Sequence, residues 1–228
     1  ACADIDVAGL HVHYLQQARA RGVDLHTRAR IAQMEREDGV WTLASESGEQ
    51  FRAATLVNAA GAWADGLAEA AGIRPLGIQP LRRTVIQLRV DPAPPSDMPL
   101  VLDISGRFYF KPEAGRVWLS PHDEEPSEAC DAAPEELAVA EAIDRLQGVV
   151  DWRVEAVERR WAGLRSFAPD RRPVYGYDPR AEGFAWFAGQ GGFGIQTAPA
   201  AARLASQLLL GLERDSMTRA LDAGLYAP

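Results

Sequence analysis

The sequence predicts an α+β fold in which an antiparallel sheet with flanking helices is combined with strand-turn-helix units. Long alternations of apolar and polar residues at 81–90, 107–111 and 154–167 are typical of antiparallel strands with one exposed face. Two other short apolar strands, 55–58 and 184–188, each lead through small residues into a helix. The strands and helices therefore do not alternate regularly, as they would in a fully parallel α/β fold.

The first 75 residues predict one helix, a group of short strands, and one strand-turn-helix unit. Leu10, Val12, Leu15 and Ala18 recur at helical spacing over 9–21, and Gly22 follows where an amphipathic helix would end. Short alternating runs separated by turn residues predict the next strands, at 23–26, 29–35, 40–44 and 50–54. The strand at 55–58 precedes a helix over 62–71.

The remaining residues predict a larger sheet, one surface helix and a final strand-turn-helix unit. Besides the long alternations, strands are expected at 100–104, 116–120, 174–177 and 184–188. A proline at position 134 followed by apolar residues at helical spacing predicts a helix over 134–146. The last helix is expected over 195–212.

Composition narrows the function classes. The 228 residues carry 24 Lys and Arg against 32 Asp and Glu, a net charge of −8, which argues against binding to nucleic acid or to an anionic membrane surface. The two cysteines, Cys2 and Cys130, form no metal-binding or disulfide pattern, and the histidines lack ligand spacing, so no metal site is expected. No apolar run is long enough to span a membrane. A reducing, cytoplasmic location fits these features.

A glycine cluster, Gly189 to Gly194, follows the strand 184–188 and opens the last helix. It satisfies G-x-G-x-x-G, but a dinucleotide fingerprint also needs a second parallel strand ending in an acidic residue, and no strand is predicted after this helix. The sequence therefore does not favour a nicotinamide-dependent dehydrogenase. Two interpretations remain: an electron-rich ligand at the helix N-terminus, or a tight turn that lets strand and helix pack closely.

Arginine and tyrosine residues in the central strands are the other candidates. Arg165 lies among apolar residues and needs a partner, which could be Asp170 or a ligand carboxylate. Tyr109 is expected on the same face as Arg107 and Lys111, where a packed surface tyrosine is the simpler interpretation. The neighbours Arg82 and Arg83 must point to opposite faces, and one of them is expected in solvent.

Several segments in this order resemble the FAD-dependent amino-acid oxidoreductases of the D-amino-acid oxidase superfamily. The matching segments are 5–11 with Tyr14 and 18–22, 56–65, 107–115, 161–167 and 188–197. The superfamily includes glycine oxidase, sarcosine oxidase and D-amino-acid dehydrogenases, and the likeness is greatest to D-arginine dehydrogenases. Because the ADP-binding unit of such enzymes precedes the first segment, the resemblance implies a C-terminal portion that lacks this unit.

The resemblance also implies domains and site residues. Residues 1–75 and 160–228 would be part of an FAD-binding, Rossmann-like domain, and 76–159 would be the substrate-binding domain. Arg165 would hold the substrate carboxylate, Tyr109 would donate its hydroxyl to it, and Arg83 would be a second arginine nearby. The remaining substrate-binding residues would be Leu100, Leu102 and Gly192. The flavin would contact Ala29, Ala59, Ala60, Gly61, Trp63, Gln190, Gly191, Gly192, Phe193, Gly194, Ile195 and Gln196.

The implied reaction is hydride transfer from the α-carbon of a D-amino acid to FAD, giving an imine that hydrolyses to a keto acid and ammonia. No residue is assigned as a catalytic base. The alternative is a non-catalytic folded fragment or subunit that needs a separate N-terminal chain to bind FAD. The expected small-molecule partner is an amino acid. The expected protein partner is either a second copy of this chain or the N-terminal part of the enzyme. If a quinone accepts the electrons, the protein would associate with a membrane.

Overall fold

The computed structural model describes residues 3–228, and the chain divides into two compact units. Unit 1 comprises Ala1–Gly77 and Ala168–Pro228, and unit 2 comprises Ile78–Phe167. The division expected near residue 160 falls within a single strand that runs without a break from Arg153 to Phe167. Residues 160–167 therefore lie in unit 2, because they pair along their whole length with another strand of that unit.

The elements follow the predicted order closely, and the predicted α+β class is confirmed. The α-helices are α1 (Val7–Ala20), α2 (Ala64–Ala70), α3 (Glu136–Gln147) and α4 (Gly194–Leu210). Two 3-10 helices span Gly61–Trp63 and Ala223–Tyr226. The strands are β1 (Ile31–Glu37), β2 (Val40–Ser45), β3 (Gln50–Ala53), β4 (Leu56–Asn58), β5 (Gln79–Asp91), β6 (Val101–Leu102), β7 (Tyr109–Glu113), β8 (Arg116–Ser120), β9 (Glu125–Pro126), β10 (Arg153–Phe167), β11 (Val174–Tyr177) and β12 (Phe184–Ala188).

Unit 1 contains α1 and two three-stranded sheets. The carboxylate of Asp6 caps α1 by accepting a hydrogen bond from the Gly9 N–H at 2.9 Å, as is typical of a helix N-cap. The first sheet has the antiparallel order β1-β2-β3. In the second, with order β11-β12-β4, β11 and β12 are antiparallel while β12 and β4 are parallel.

The strand predicted at 23–26 is wrong. This segment lies between α1 and β1 without regular secondary structure. His26 holds it through its side chain, which packs edge-on against Phe51 and places Nδ1 2.7 Å from the Glu49 carboxylate. Side-chain contacts thus take the place of the backbone pairing that the alternating pattern suggested.

Unit 2 is a six-stranded antiparallel sheet with one covered face. Its order is β10-β5-β8-β7-β6, with β9 also paired to β5. Leu88 and Leu119 on this sheet are fully buried together with Leu146 of α3. Burial of this apolar cluster is the main stabilising contribution in unit 2. The cluster consists of Ile86, Leu88, Val90, Phe108, Phe110, Val117, Leu119, Val139, Ala142 and Leu146.

The opposite side of this sheet, called the arginine face, carries Arg83, Tyr109, Trp118, Trp161 and Arg165. Residues directly opposite each other in an antiparallel pair share a face, and alternate residues along a strand do the same. The register pairs Arg165 with Leu81, Trp161 with Val85, and Tyr109 with Ser120. Three predicted substrate-binding residues therefore lie on the face that α3 leaves uncovered.

One predicted strand is shorter than expected, and another is shifted by two residues. β6 contains only Val101 and Leu102, and β7 begins at Tyr109 rather than at Arg107. Arg107 instead belongs to a turn, where its backbone N–H and its Nε both donate to the Asp103 carboxylate at 3.1 Å. The expectation that Arg107 shares a strand face with Tyr109 is therefore wrong.

Candidate functional site

Arg83 is a buried cation with an unused hydrogen-bond donor. Its side chain is only 4% exposed. Nε donates to the backbone carbonyl of Asp123 at 2.7 Å, and Nη2 donates to the Glu124 carboxylate at 3.2 Å. Nη1 is buried and has no hydrogen-bond partner among residues 3–228. An unpaired donor on a buried charged group is costly, so this nitrogen is well suited to an anionic ligand.

The loop between β8 and β9 holds Arg83 in place. The Asp123 carboxylate, which is almost fully buried, accepts hydrogen bonds from the backbone N–H and the hydroxyl of Thr84, both at 2.7 Å. These bonds fix the loop against β5 at the residue next to Arg83. The Asp123 carbonyl is thereby positioned to receive Arg83 Nε.

Arg82 is not in solvent, contrary to the expectation for this pair. Its side chain is only 16% exposed, with Nη2 2.8 Å from the carboxylate of Glu135, the residue that precedes α3. The two arginines do point to opposite faces, as predicted. Each is covered because a carboxylate from a later segment of unit 2 reaches back to it.

Arg165 and Tyr109 converge on Arg83. Burial lowers the pKa of the Arg83 guanidinium, and the positive charge of Arg165 lowers it further, whereas Tyr109 and Glu124 raise it. The structure thus brings two guanidinium groups and a phenol together, an arrangement suited to a carboxylate.

His122 and Leu102 flank Tyr109. The His122 ring stands edge-on to the Tyr109 ring at a centroid distance of 5.6 Å, and its Nδ1 contacts the Gly106 carbonyl. Leu102 lies opposite Tyr109 in the β6–β7 pair, and its side chain is about half exposed. Leu100 lies just outside β6 and is similarly exposed.

In unit 1, most of the predicted flavin residues lie at one edge of a sheet. β4 and β12 run parallel, with Leu56 opposite Phe184 and Asn58 opposite Trp186. Their carboxyl ends therefore lie side by side, and each leads into a turn of small residues: Ala59, Ala60 and Gly61 after β4, and the glycine cluster after β12. Ligands of open α/β sheets bind outside this edge.

The backbone of both turns is suited to a ligand. Gly61 and Gly191 have positive φ angles of 58° and 55°, which other residues rarely adopt. α4 begins directly after the second turn, and no side chain caps its first N–H groups. Phe193 and Ile195 are exposed there, and Gln190, Gly192 and Gln196 belong to the same segment. An apolar, electron-rich ring fits such a helix N-terminus.

Trp63 ends the 3-10 helix that begins at Gly61, and it lines a groove of about 550 Å³. The groove is also lined by residues of α2, by Ile31 of β1, and by Arg30, which precedes β1. Ala29 lies near the same groove, because it directly precedes the lining residue Arg30, and it is half-buried. The structure thus places these two predicted flavin residues near one groove.

Sequence reasoning missed the residues that surround Arg83. Asp123, Glu124 and His122 contact β5 or Tyr109, yet about 40 residues separate the loop from β5 in sequence. The only available signal was the short polar run that follows β8. Among residues 3–228, no cluster of three potential metal ligands is found, and no helix is long and apolar enough to cross a membrane.

Comparison with known proteins identifies relatives over most of the chain. The family model DAO, FAD dependent oxidoreductase, matches residues 1–208. The FAD-dependent oxidoreductase domain-containing protein 1 of Xenopus laevis is 26% identical over 171 residues, covering 68% of this chain and 34% of that protein. Hydrogen cyanide synthase subunit HcnC of Pseudomonas aeruginosa is 26% identical over 183 residues, covering 75% of this chain and 40% of that protein.

Solved structures share the fold. L-proline dehydrogenase from P. horikoshii superposes with a TM-score of 0.79 at 20% identity, covering 96% of this chain and 57% of its own. Glycine oxidase from Geobacillus kaustophilus superposes with a TM-score of 0.74 at 23% identity, covering 92% of this chain and 54% of the oxidase chain. The chain thus spans about a third to two fifths of these curated relatives and somewhat more than half of these solved chains.

Proposed function

Because the chain belongs to the DAO family of FAD-dependent oxidoreductases, we propose that its arginine face binds the α-carboxylate of an amino acid whose C–N bond is oxidised. Arg83 and Arg165 neutralise the carboxylate, and the Tyr109 hydroxyl donates to it. The D-enantiomer is the proposed substrate.

The unpartnered Nη1 of Arg83 is the observation that carries this proposal. Buried donors are normally paired, and at 4% exposure Arg83 has little access to solvent, so a ligand at Nη1 would complete its hydrogen bonds. Glu124 pairs with Nη2 of Arg83, and a ligand carboxylate at Nη1 would lie beside the second guanidinium, Arg165. A single carboxylate satisfies both the charge and the free donor.

FAD is the cofactor of the family, and the residues of unit 1 fit it. The small-residue turns after β4 and β12 offer backbone N–H groups, and the exposed Phe193 and Ile195 offer apolar surface. When bound, FAD supplies the acceptor for the two electrons and the hydrogen that leave the α-carbon. The amine then loses a proton to give an imine, whose hydrolysis yields a keto acid and ammonia.

The role of the protein side chains is orientation. Holding the carboxylate at two guanidinium groups fixes two points of the substrate, so the α-hydrogen can be presented in one direction. Removal of the Arg165 side chain should weaken carboxylate binding by about 2–5 kcal/mol, by analogy with broken charge pairs. This loss corresponds to roughly 30- to 5,000-fold in affinity.

The test is a calorimetric titration of the full chain with both enantiomers of alanine, leucine and phenylalanine. Arg165→Ala should lose the affinity given above. Arg160→Ala is the matched control, because Arg160 lies on the same strand opposite Ile86, on the covered face, and pairs with Glu136 at 3.1 Å. Equal affinities for Arg165→Ala and the wild type would contradict the proposal.

A parallel titration with FAD, followed by visible absorbance, separates catalysis from binding alone. Uptake of FAD and its bleaching by an amino acid would support oxidation by this chain. Amino-acid binding without FAD uptake would favour the alternative of a subunit that needs a separate N-terminal chain. Sedimentation of the same samples tests whether the chain associates with a second copy.

A further inference from the structure

Gly163 stands in the middle of β10 without a structural reason for being glycine. Glycine weakens a strand interior, and where it occurs it often marks close approach of a ligand or another backbone. Gly163 is not among the glycines with positive φ. A Cβ placed on it would meet no atom of residues 3–228 within 4 Å. Neither backbone conformation nor packing within the described chain therefore requires glycine here.

The open space above Gly163 lies beside the proposed carboxylate site. Gly163 is directly opposite Arg83 in the β5–β10 pair. Arg165 and Trp161 lie two residues away on either side, on the same face, which corresponds to about 7 Å along the strand. A ligand held by Arg83 and Arg165 would thus extend over Gly163 towards Trp161.

An aromatic pair forms the far wall of this space. Trp161 and Trp118 meet edge to face at a centroid distance of 5.4 Å, and Trp161 is 37% exposed. Trp152, by contrast, packs against Phe110 in the apolar cluster of the covered face. The arginine face therefore presents a tryptophan surface that the covered core does not use.

We propose that Gly163 is a specificity-determining residue, and that the space between Arg165 and Trp161 holds the side chain of a bulky apolar or aromatic amino acid. This inference rests on the proposed function, because the carboxylate must be anchored at Arg83 and Arg165. The absence of a Cβ at Gly163 gives the side chain room to lie against the sheet. Trp161 and Trp118 supply the apolar contact.

The test compares Gly163→Ala and Gly163→Val with the wild type. The full chain is titrated with glycine, D-alanine, D-valine and D-phenylalanine, and the shifts of the tryptophan indole N–H resonances give each affinity. Gly163→Val should weaken phenylalanine binding by at least about 10- to 200-fold, the range for one methylene in an apolar pocket, while glycine binding changes less than about threefold. The phenylalanine affinity of Gly163→Ala should lie between those of the wild type and Gly163→Val.

Gly66→Ala is the matched control, since a Cβ at Gly66 also meets nothing within 4 Å and Gly66 lies in α2 of unit 1. Circular dichroism establishes that each variant is folded. An equal loss for all four ligands, or no loss for phenylalanine, would overturn the role of Gly163. If the wild type binds none of them, or Arg165→Ala binds them unchanged, the proposed function itself fails.

Discussion

Two buried clusters of arginine and carboxylate, one in each unit, differ in how completely they are paired. In unit 1, the fully buried carboxylate of Asp178 accepts hydrogen bonds from Arg180 at 2.6 and 2.9 Å and from the Trp186 indole at 3.0 Å. In unit 2, the buried charge is the Arg83 guanidinium. Its Nη1 has no partner in the described part of the chain, and a second guanidinium, Arg165, lies close to it.

The comparison separates a structural ion pair from a binding site. Asp178 has donors on both oxygens, so its charge is stabilised within the protein and its pKa is lowered to about 2, chiefly by the Arg180 hydrogen bonds. Arg83 keeps a desolvated donor beside a like charge, an arrangement that stabilises the fold less than full pairing would. Such a cost is reasonable where an anionic ligand completes the cluster.

The largest expected effect is on ligand affinity when Arg83 is replaced. Arg83→Met should reduce amino-acid binding by roughly 30- to 5,000-fold, because the carboxylate loses one of its two guanidinium groups. Calorimetric titration measures this change. Arg83→Lys retains the charge but not the planar fork, so it should recover only part of the affinity.

Asp178→Asn provides the contrast to the Arg83 variants, since it removes a buried charge of unit 1. Its amino-acid affinity should equal that of the wild type. A loss of affinity in Asp178→Asn as large as that in Arg83→Met would show that the two clusters do not differ in function. Preserved affinity in Arg83→Met would contradict the assignment of Arg83 to the ligand.

A smaller effect is expected on stability at Asp178. Asp178→Asn replaces charge-assisted hydrogen bonds with neutral ones and should lower the free energy of unfolding by about 1–3 kcal/mol. Urea unfolding at neutral pH, followed by tryptophan fluorescence, measures the change. Asp215→Asn is the control, because the Asp215–Arg203 pair is largely exposed and should contribute less. A larger loss in the control would contradict the structural role of Asp178.

The fold was largely predictable because periodicity and turn residues are local signals. The strands 174–177 and 184–188 have the predicted bounds, and α4 begins at the predicted glycine cluster. The strand at 23–26 failed because the alternating pattern does not show whether a partner strand is available. The end of unit 2 could not be read from the sequence, because β10 continues without a local break across residue 160 to Phe167.

The candidate site was less predictable. Arg83, Arg165 and Tyr109 were predicted as substrate-binding residues from a family resemblance, and the strand register places them on one face of the sheet. Asp123 and Glu124 could not be assigned, because their contacts with Arg83 and Thr84 depend on a loop that folds back across about 40 residues of sequence. The expectation that one of Arg82 and Arg83 is in solvent was wrong for the same reason, since Glu135 and Glu124 reach the two side chains from distant positions in the sequence.

The smallest expected effect is the loss at low pH of the stability that the Asp178 carboxylate contributes. Since the pKa of Asp178 is about 2 in the folded chain against an ordinary value of 3.8, its contribution to stability is fully present above about pH 4 and is lost as the pH falls towards 2. The carboxyls of Asp103, Glu158 and Asp215 also have lowered pKa values, so the whole chain should lose stability in acid. The informative quantity is therefore the difference between wild type and Asp178→Asn, measured as the urea midpoint from pH 7 to pH 2. This difference should be constant above pH 4 and shrink below it, and a difference that persists unchanged to pH 2 would show that the Asp178 charge does not stabilise unit 1.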